Sequence, residues 1–133
     1  MKIYISGAYG EQKRLREVAG QLFALGHQIT GTWLSEVQKP EALTEKEWHR
    51  CLAVKDLAEV ASADCIITDL DGTSSSGGRY VEWGYALGRH NMLKIIVGKN
   101  DWGVFNRLAD HSFTDWAHLI EYFKENYHSV RKD

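Results

Sequence analysis

Apolar positions along the chain alternate between short runs and stripes of helical period, and that alternation predicts the elements. Lys2–Ser6 (KIYIS) reads as a first strand, followed by the loop Gly7-Ala8-Tyr9-Gly10. Residues 11–25 place Leu15, Val18, Ala19, Leu22, Phe23 and Leu25 mostly on a 3.6-residue period. They predict an amphipathic helix ended by Gly26. Residues 27–33 (HQITGTW) read as a second strand, shortened by Gly31, and the polar segment around Pro40 as a loop. Thr44 and Glu47 match a capping box, so a helix starts there and carries Trp48, Leu52, Leu57, Val60 and Ala61 to about residue 62. The compact apolar run 63–70 (ADCIITDL) is the clearest strand, and Asp71-Gly72 opens a Ser/Gly loop. A helix over about 78–89 and a strand over 92–98 (MLKIIVG) follow. Residues 99–113 read as loop with a short helix, and 115–127 as a last amphipathic helix.

Strands alternating with helices predict one α/β domain over residues 1–133. It is a three-layer, Rossmann-like (flavodoxin-like) arrangement with a parallel sheet of four or five strands covered on both faces. In such sheets ligands bind at the carboxyl ends of the strands, where the strand order switches. The loops SGAYG (6–10), GTW (31–33) and DLDGTSSSGGR (69–79) are therefore expected to converge.

Composition and charge narrow the function. With 44% hydrophobic and 26% charged residues in 133, the chain has the profile of an ordinary soluble globular protein and can bury a core. Sixteen Lys/Arg against eighteen Asp/Glu argue against a broad polyanion-binding surface, so polymeric nucleic acid is not an expected partner. A small phosphate pocket stays open. Cys51 and Cys65 lie in no metal or redox spacing, and Cys65, in an apolar run, reads as a buried free thiol. The amino terminus runs directly into strand pattern without a secretory h-region, and no span approaches membrane length. The expected location is cytoplasmic, with no membrane partner.

Three places carry candidate chemistry. Gly7 and Gly10 let backbone N–H groups approach an anion at the start of the first helix, with Arg14 one turn on, although glycines in a βα turn equally serve the turn. The spacing is neither GxGxxG nor GxxxxGK[ST], which disfavours a dinucleotide-binding domain and a P-loop. Ser74, Ser75 and Ser76 with Gly77 and Gly78 offer more donors than one helix cap needs. Glu82 follows, among Tyr80, Val81, Trp83, Tyr85, Ala86 and Leu87; it is either an exposed ion-pair partner of Arg79 or a carboxylate positioned for nucleophilic or acid/base work. Asp56 interrupts an otherwise apolar helix face. Asp69 and Asp71 sit at a strand end where they can hold a sugar hydroxyl or magnesium, but two acids alone do not make a metal site. Six histidines form no ligand spacing, and neither a metal nor another cofactor is expected. Trp33, in the loop after the second strand, offers an aromatic face on which a flat ligand can stack.

The segments KIYISGAYG, DLAEVASADCIITDLDG and SSSGGRYVEWGYALG, in that order and with the strand MLKIIVG, resemble the nucleoside 2-deoxyribosyltransferase-like family, which includes deoxynucleoside 5'-monophosphate N-glycosidases. The resemblance covers most of residues 2–98 and is looser beyond. It implies cleavage of the N-glycosidic bond between a base and a (deoxy)ribose. In that scheme Glu82 attacks the anomeric carbon to form a sugar ester, Asp56 protonates or holds the departing base, and Tyr4 orients Glu82. Transferases of the family tend to carry an aspartate six residues before the glutamate; here Ser76 stands there, as in the monophosphate hydrolases. Gly7, Gly10, Arg14, Ser76 and Gly78, with Arg79, would then cradle a 5'-phosphate. The first loop nevertheless lacks the hydrolases' arginine within its glycine turn.

The resemblance implies homodimers or larger assemblies in which a neighbouring copy completes each pocket. Asn106 is the candidate to reach across, and Trp102, Phe105 and Phe113 are either the contact surface or an aromatic cover for the chain's own sheet. The expected function is hydrolysis of a (deoxy)nucleoside 5'-monophosphate to free base. The alternatives are base exchange by a 2-deoxyribosyltransferase, a non-catalytic nucleotide-binding or sensing module, and an interaction domain with an ordinary salt-bridged helix. A phosphoribohydrolase would require a P-G-G-x-G-T loop that is absent.

Overall fold

The computed structural model describes residues 1–36, 38–73 and 77–127. Its strands are β1 (Lys2–Ser6), β2 (Gln28–Ile29), β3 (Cys65–Asp69), β4 (Leu93–Val97) and β5 (His111–Phe113). Its α-helices are α1 (Gln12–Ala24), α2 (Glu45–Ala61), α3 (Gly78–Leu87) and α4 (Trp116–Asn126), with 3-10 turns at Tyr9–Glu11, Thr32–Ser35 and Val104–Leu108. All pairings are parallel and the order is β2-β1-β3-β4-β5, so the expected sheet is present with five strands in the flavodoxin-like arrangement. Helices α1 and α4 pack together, as do α2 and α3, which gives the two outer layers.

Burial follows from that layering. Every residue of β3 is buried, as a strand covered on both faces requires. In β1 the side chains alternate: Tyr4 and Ser6 point toward α3, where both reach Glu82, so Ile3 and Ile5 face the opposite layer. The core includes Ile3, Ile5, Leu15 and Leu22 together with Leu119, Ile120 and Phe123 of α4.

Three elements differ from the sequence expectation. The second strand is only Gln28–Ile29. The chain leaves the sheet and coils at Thr32–Ser35 because Trp33 turns inward and donates its Nε1–H to the Ile5 carbonyl at 2.7 Å. Within the segment read as loop, His111–Phe113 forms the edge strand β5, in register from Ile95↔His111 to Val97↔Phe113. Helix α2 opens with the expected capping box at Thr44 and Glu47. Of its expected apolar face, however, only Val60 is fully buried, while Leu52 and Leu57 are half-buried.

The connection from β1 leads outward to β2, whereas that from β3 leads the other way to β4. The switch point therefore lies between β1 and β3. Cys65 is a buried free thiol and Cys51 an exposed one. No helix among the described residues is long and apolar enough to cross a membrane.

Candidate active site

At the carboxyl ends of β1 and β3 the chain forms a cleft of about 370 Å³, within the range of small-molecule sites. Gly7, Tyr9, Gly10, Trp33, Glu36, Leu52, Asp56, Thr73, Gly78, Arg79 and Glu82 line it. The three loops singled out by topology thus meet here, joined by one face of α2 on which Leu52 and Asp56 stand four residues apart.

Glu82 is anchored through both oxygens. Tyr4 Oη donates to Oε2 at 2.5 Å and Ser6 Oγ donates to Oε1 at 2.8 Å. The two donors are i and i+2 on β1, so they share one face of the strand and meet the carboxylate side by side. The apolar residues flanking Glu82 in sequence do not enclose it: Tyr80, Val81 and Tyr85 are exposed on the outer side of α3. Its setting comes instead from β1. Burial pushes the Glu82 carboxyl up to about 7; the Tyr4 and Ser6 hydrogen bonds pull it down, and the Asp56 and Glu59 carboxylates add to the rise. Burial, together with the charge of Glu82, holds Tyr4 far above the ordinary phenol range, so it stays a proton donor in the hydrogen bond.

Asp56 is half-buried in the same cleft. Its Oδ1 is shielded from solvent and lies 3.3 Å from Lys55 Nζ, close enough for an ion pair but outside hydrogen-bond alignment. Burial raises its pKa above the ordinary aspartate value; Glu36 and Glu59 reinforce that rise and Lys55 opposes it.

The two arginines are bound to the protein's own acceptors. Arg14 donates through Nε to Glu11 (2.9 Å) and through Nη1 and Nη2 to Asp69 (3.2 and 2.6 Å), the Asp69 hydrogen bonds being the chief influence that raises its pKa. Arg79 is 7% exposed and clamps the β3–α3 loop by donating to the carbonyls of Asp69, Asp71 and Gly72 at 2.8–3.1 Å. Among the described residues it forms no ion pair with Glu82, so the surface-pair reading of those two does not hold. Asp69 is not a ligand holder either: it is fully buried and also accepts from Trp116 Nε1 at 2.8 Å. Asp71 accepts from the Lys99 backbone N–H at 3.1 Å. Among the described residues no group of three or more His, Cys, Asp or Glu side chains is placed to hold a metal.

The glycines divide by role. A Cβ on Gly7, just after β1, would stand 2.7 Å from Leu15 Cδ1 and 3.4 Å from Asp69 Cβ, so any larger residue there would have to displace the buried Leu15 side chain, and packing alone favours glycine. Gly10 and Gly78 face open space in the cleft wall. Gly77 takes the left-handed conformation (φ 69°) that turns the chain into α3, whose positive dipole end then points at the cleft.

Trp33 is a buried wall, and the more exposed Tyr9 lies 6.5 Å away, ring centre to ring centre. Asn106 is not brought to the cleft of its own chain. It is buried and donates to Asp101 at 2.9 Å, beside an apolar groove of Tyr80, Trp83, Phe105 and Leu108 on the far side of α3. Ser76 lies outside the described residues. Sequence reasoning missed Ser6, which the i+2 spacing from Tyr4 could have flagged, and Glu36, which sits in a polar loop without any pattern.

A model of the nucleoside 2-deoxyribosyltransferase family matches residues 3–125. No curated protein matches the sequence significantly. Among solved structures, the fold is similar to a 2-deoxyribosyltransferase from Bacillus psychrosaccharolyticus, at a TM-score of 0.72, 17% identity and 92% coverage of both chains. It is also similar to a conserved protein from Enterococcus faecalis V583 (TM-score 0.67, 16% identity, 94% and 98% coverage). A CMP N-glycosidase from Clostridium botulinum aligns at TM-score 0.58 and 12% identity, with 94% and 98% coverage. The family match takes in β1 through most of α4, and on it the chain belongs to the nucleoside 2-deoxyribosyltransferase family.

Proposed function

We propose that the cleft breaks the N-glycosidic bond of a nucleoside and passes the sugar to a second base, with Glu82 as nucleophile. The observation that carries this reading is a carboxylate held by Tyr4 and Ser6 at the open switch-point cleft, with a second carboxyl, Asp56, whose pKa burial raises, in the same wall. In the first half-reaction the Glu82 carboxylate bonds to C1' as the C1'–N bond breaks. The bonding pair leaves with the base nitrogen, and Asp56 delivers a proton to the base so that it departs neutral. In the second, a nitrogen of the incoming base attacks C1', Glu82 is released as carboxylate, and the proton lost by that base returns to Asp56.

Two features favour a nucleoside over its 5'-monophosphate. Arg14 and Arg79 are engaged with internal acceptors, and Glu36, Asp56 and Glu82 give the cleft three acidic side chains. The family match and the likeness to a 2-deoxyribosyltransferase point the same way. Hydrolysis of a monophosphate, the expectation from Ser76, is the second reading. The positive end of α3 at the cleft favours it. Self-association through the groove beside α3 also belongs to this proposal; sedimentation as a monomer at working concentrations would remove it.

The test is incubation with deoxynucleosides and their monophosphates, with and without an acceptor base, followed by chromatographic separation of bases and nucleosides. A new nucleoside is expected when acceptor is present, and none from Glu82→Ala. Unchanged turnover in Glu82→Ala would overturn the mechanism. Release of base from monophosphates only, without transfer, would establish the second reading.

A further inference from the structure

On the base side of the cleft an arrangement remains that the glycosidic chemistry does not use. Lys55 lies on α2 next to Asp56, yet it does not line the cleft; it belongs to the outer groove with Arg50, Cys51 and Val54. From there its ammonium donates to Glu36 Oε2 at 3.0 Å and Thr32 Oγ1 at 2.9 Å. It also pairs with Asp56 Oδ1 at 3.3 Å and Glu59 Oε1 at 3.7 Å. Two of the ammonium's three N–H donors are thus engaged in hydrogen bonds, and the Asp56 and Glu59 carboxylates lie within ion-pair distance of it. Glu36 and Asp56 are therefore held from behind by one cation, and among the described residues the cleft lining holds no Lys or Arg besides Arg79, whose Nη1 and Nη2 donate to loop carbonyls. Glu36 lies on the loop after the Thr32–Ser35 turn, and its backbone carbonyl accepts from Gln12 Nε2 at 3.3 Å, which ties that loop to α1. Its side chain thus has a fixed direction, and its second carboxylate oxygen is an acceptor without a donor among the described residues.

We propose that Glu36 selects the base, favouring nucleobases with an exocyclic amino group over their oxo counterparts, and that Lys55 positions it. The inference rests on the glycosidic reading of the cleft. A carboxylate oxygen accepts an amino N–H, whereas a carbonyl oxygen in the same place would set two acceptors against each other. Beside it Asp56 lines the same cleft and shares Lys55 with Glu36; in its protonated form, which burial favours, it donates to the ring nitrogen next to the amino group. Adenine and cytosine present that donor-then-acceptor edge; hypoxanthine and uracil present its reverse.

The experiment measures kcat/KM for deoxyadenosine against deoxyinosine and for deoxycytidine against deoxyuridine. In parallel, calorimetry gives dissociation constants for the four free bases. Wild-type protein is expected to prefer the amino member of each pair by on the order of ten- to a hundredfold. Glu36→Gln, whose amide can rotate to donate, should erase or reverse the ratio. Lys55→Met should lower the ratio, and Lys55→Arg should restore most of it, which a purely structural defect would not do. Equal or opposite preference in the wild type, or a ratio unchanged in Glu36→Gln, overturns the proposal. If no nucleoside is turned over, the glycosidic reading fails and the free-base ratios still decide: amino preference lost in Glu36→Gln upholds the selection, and absence of base binding overturns it.

Discussion

Glu82 shows how the role of a residue is set by what the fold places beside it. A carboxyl raised to about 7 is mostly protonated at pH 6 and mostly ionised at pH 8, and only the ionised form can attack. Activity should therefore rise with pH along a limb centred near 7 as Glu82 ionises, and fall again at the pH where Asp56 loses the proton it gives to the base. Tyr4 donates to Glu82 and lowers its pKa, so Tyr4→Phe should move that limb to higher pH and reduce kcat by about ten- to a hundredfold. A pH–rate profile of the variant with an unshifted limb would show that Tyr4 does not act through Glu82. The proximity of Tyr4 and Glu82, 78 residues apart, was not legible in periodicity and came only with the family resemblance. Ser6 was legible in principle, being two residues along the same strand face. Asp69 shows the opposite failure: an acid at a strand end looks like a ligand holder, and only the fold reveals Arg14 and Trp116 as its partners.

At the scale of elements, the signals that rest on local physics were readable. The Thr44/Glu47 capping box marked the start of α2 because its hydrogen bonds lie within one turn: Thr44 Oγ1 accepts from the Glu47 backbone at 3.2 Å, and Glu47 Oε1 accepts from the Thr44 backbone at 2.9 Å. What could not be read is that α2 is half-buried because it walls a cleft, or that three residues after Asp110 would pair with β4. That strand exists only through its partner. Thr44→Ala should cost about 1 kcal/mol in urea unfolding. It should also speed amide exchange over the first turn of α2, while leaving exchange around Asp56 unchanged, since the Lys55 cluster holds the helix three turns further on. Uniform exchange acceleration along α2 would mean that the cap and the cleft wall form one cooperative unit.

Across the whole molecule, the Arg14–Asp69 pair decides whether the first loop serves the substrate or the fold. Asp69 is fully buried at the end of β3; its partners come from α1 and α4, so three elements of one face close on one carboxylate. Arg14 is more than a third exposed and has a second partner in Glu11. The two ends of the pair are therefore not equivalent. Removing Arg14 leaves a buried carboxylate with Trp116 as its remaining side-chain donor among the described residues, whereas replacing Asp69 by asparagine leaves a guanidinium that still has Glu11 and water, and an amide oxygen that still accepts from Trp116. Arg14→Met should cost about 3 kcal/mol and Asp69→Asn less, on the order of 1–2 kcal/mol, in denaturant unfolding. If Arg14 belongs to the fold, Arg14→Met assayed well below its unfolding midpoint should keep its relative kcat/KM for nucleosides and monophosphates. A selective loss on monophosphates would instead mean that the guanidinium leaves Asp69 to bind phosphate, and the first loop would then be a substrate clamp.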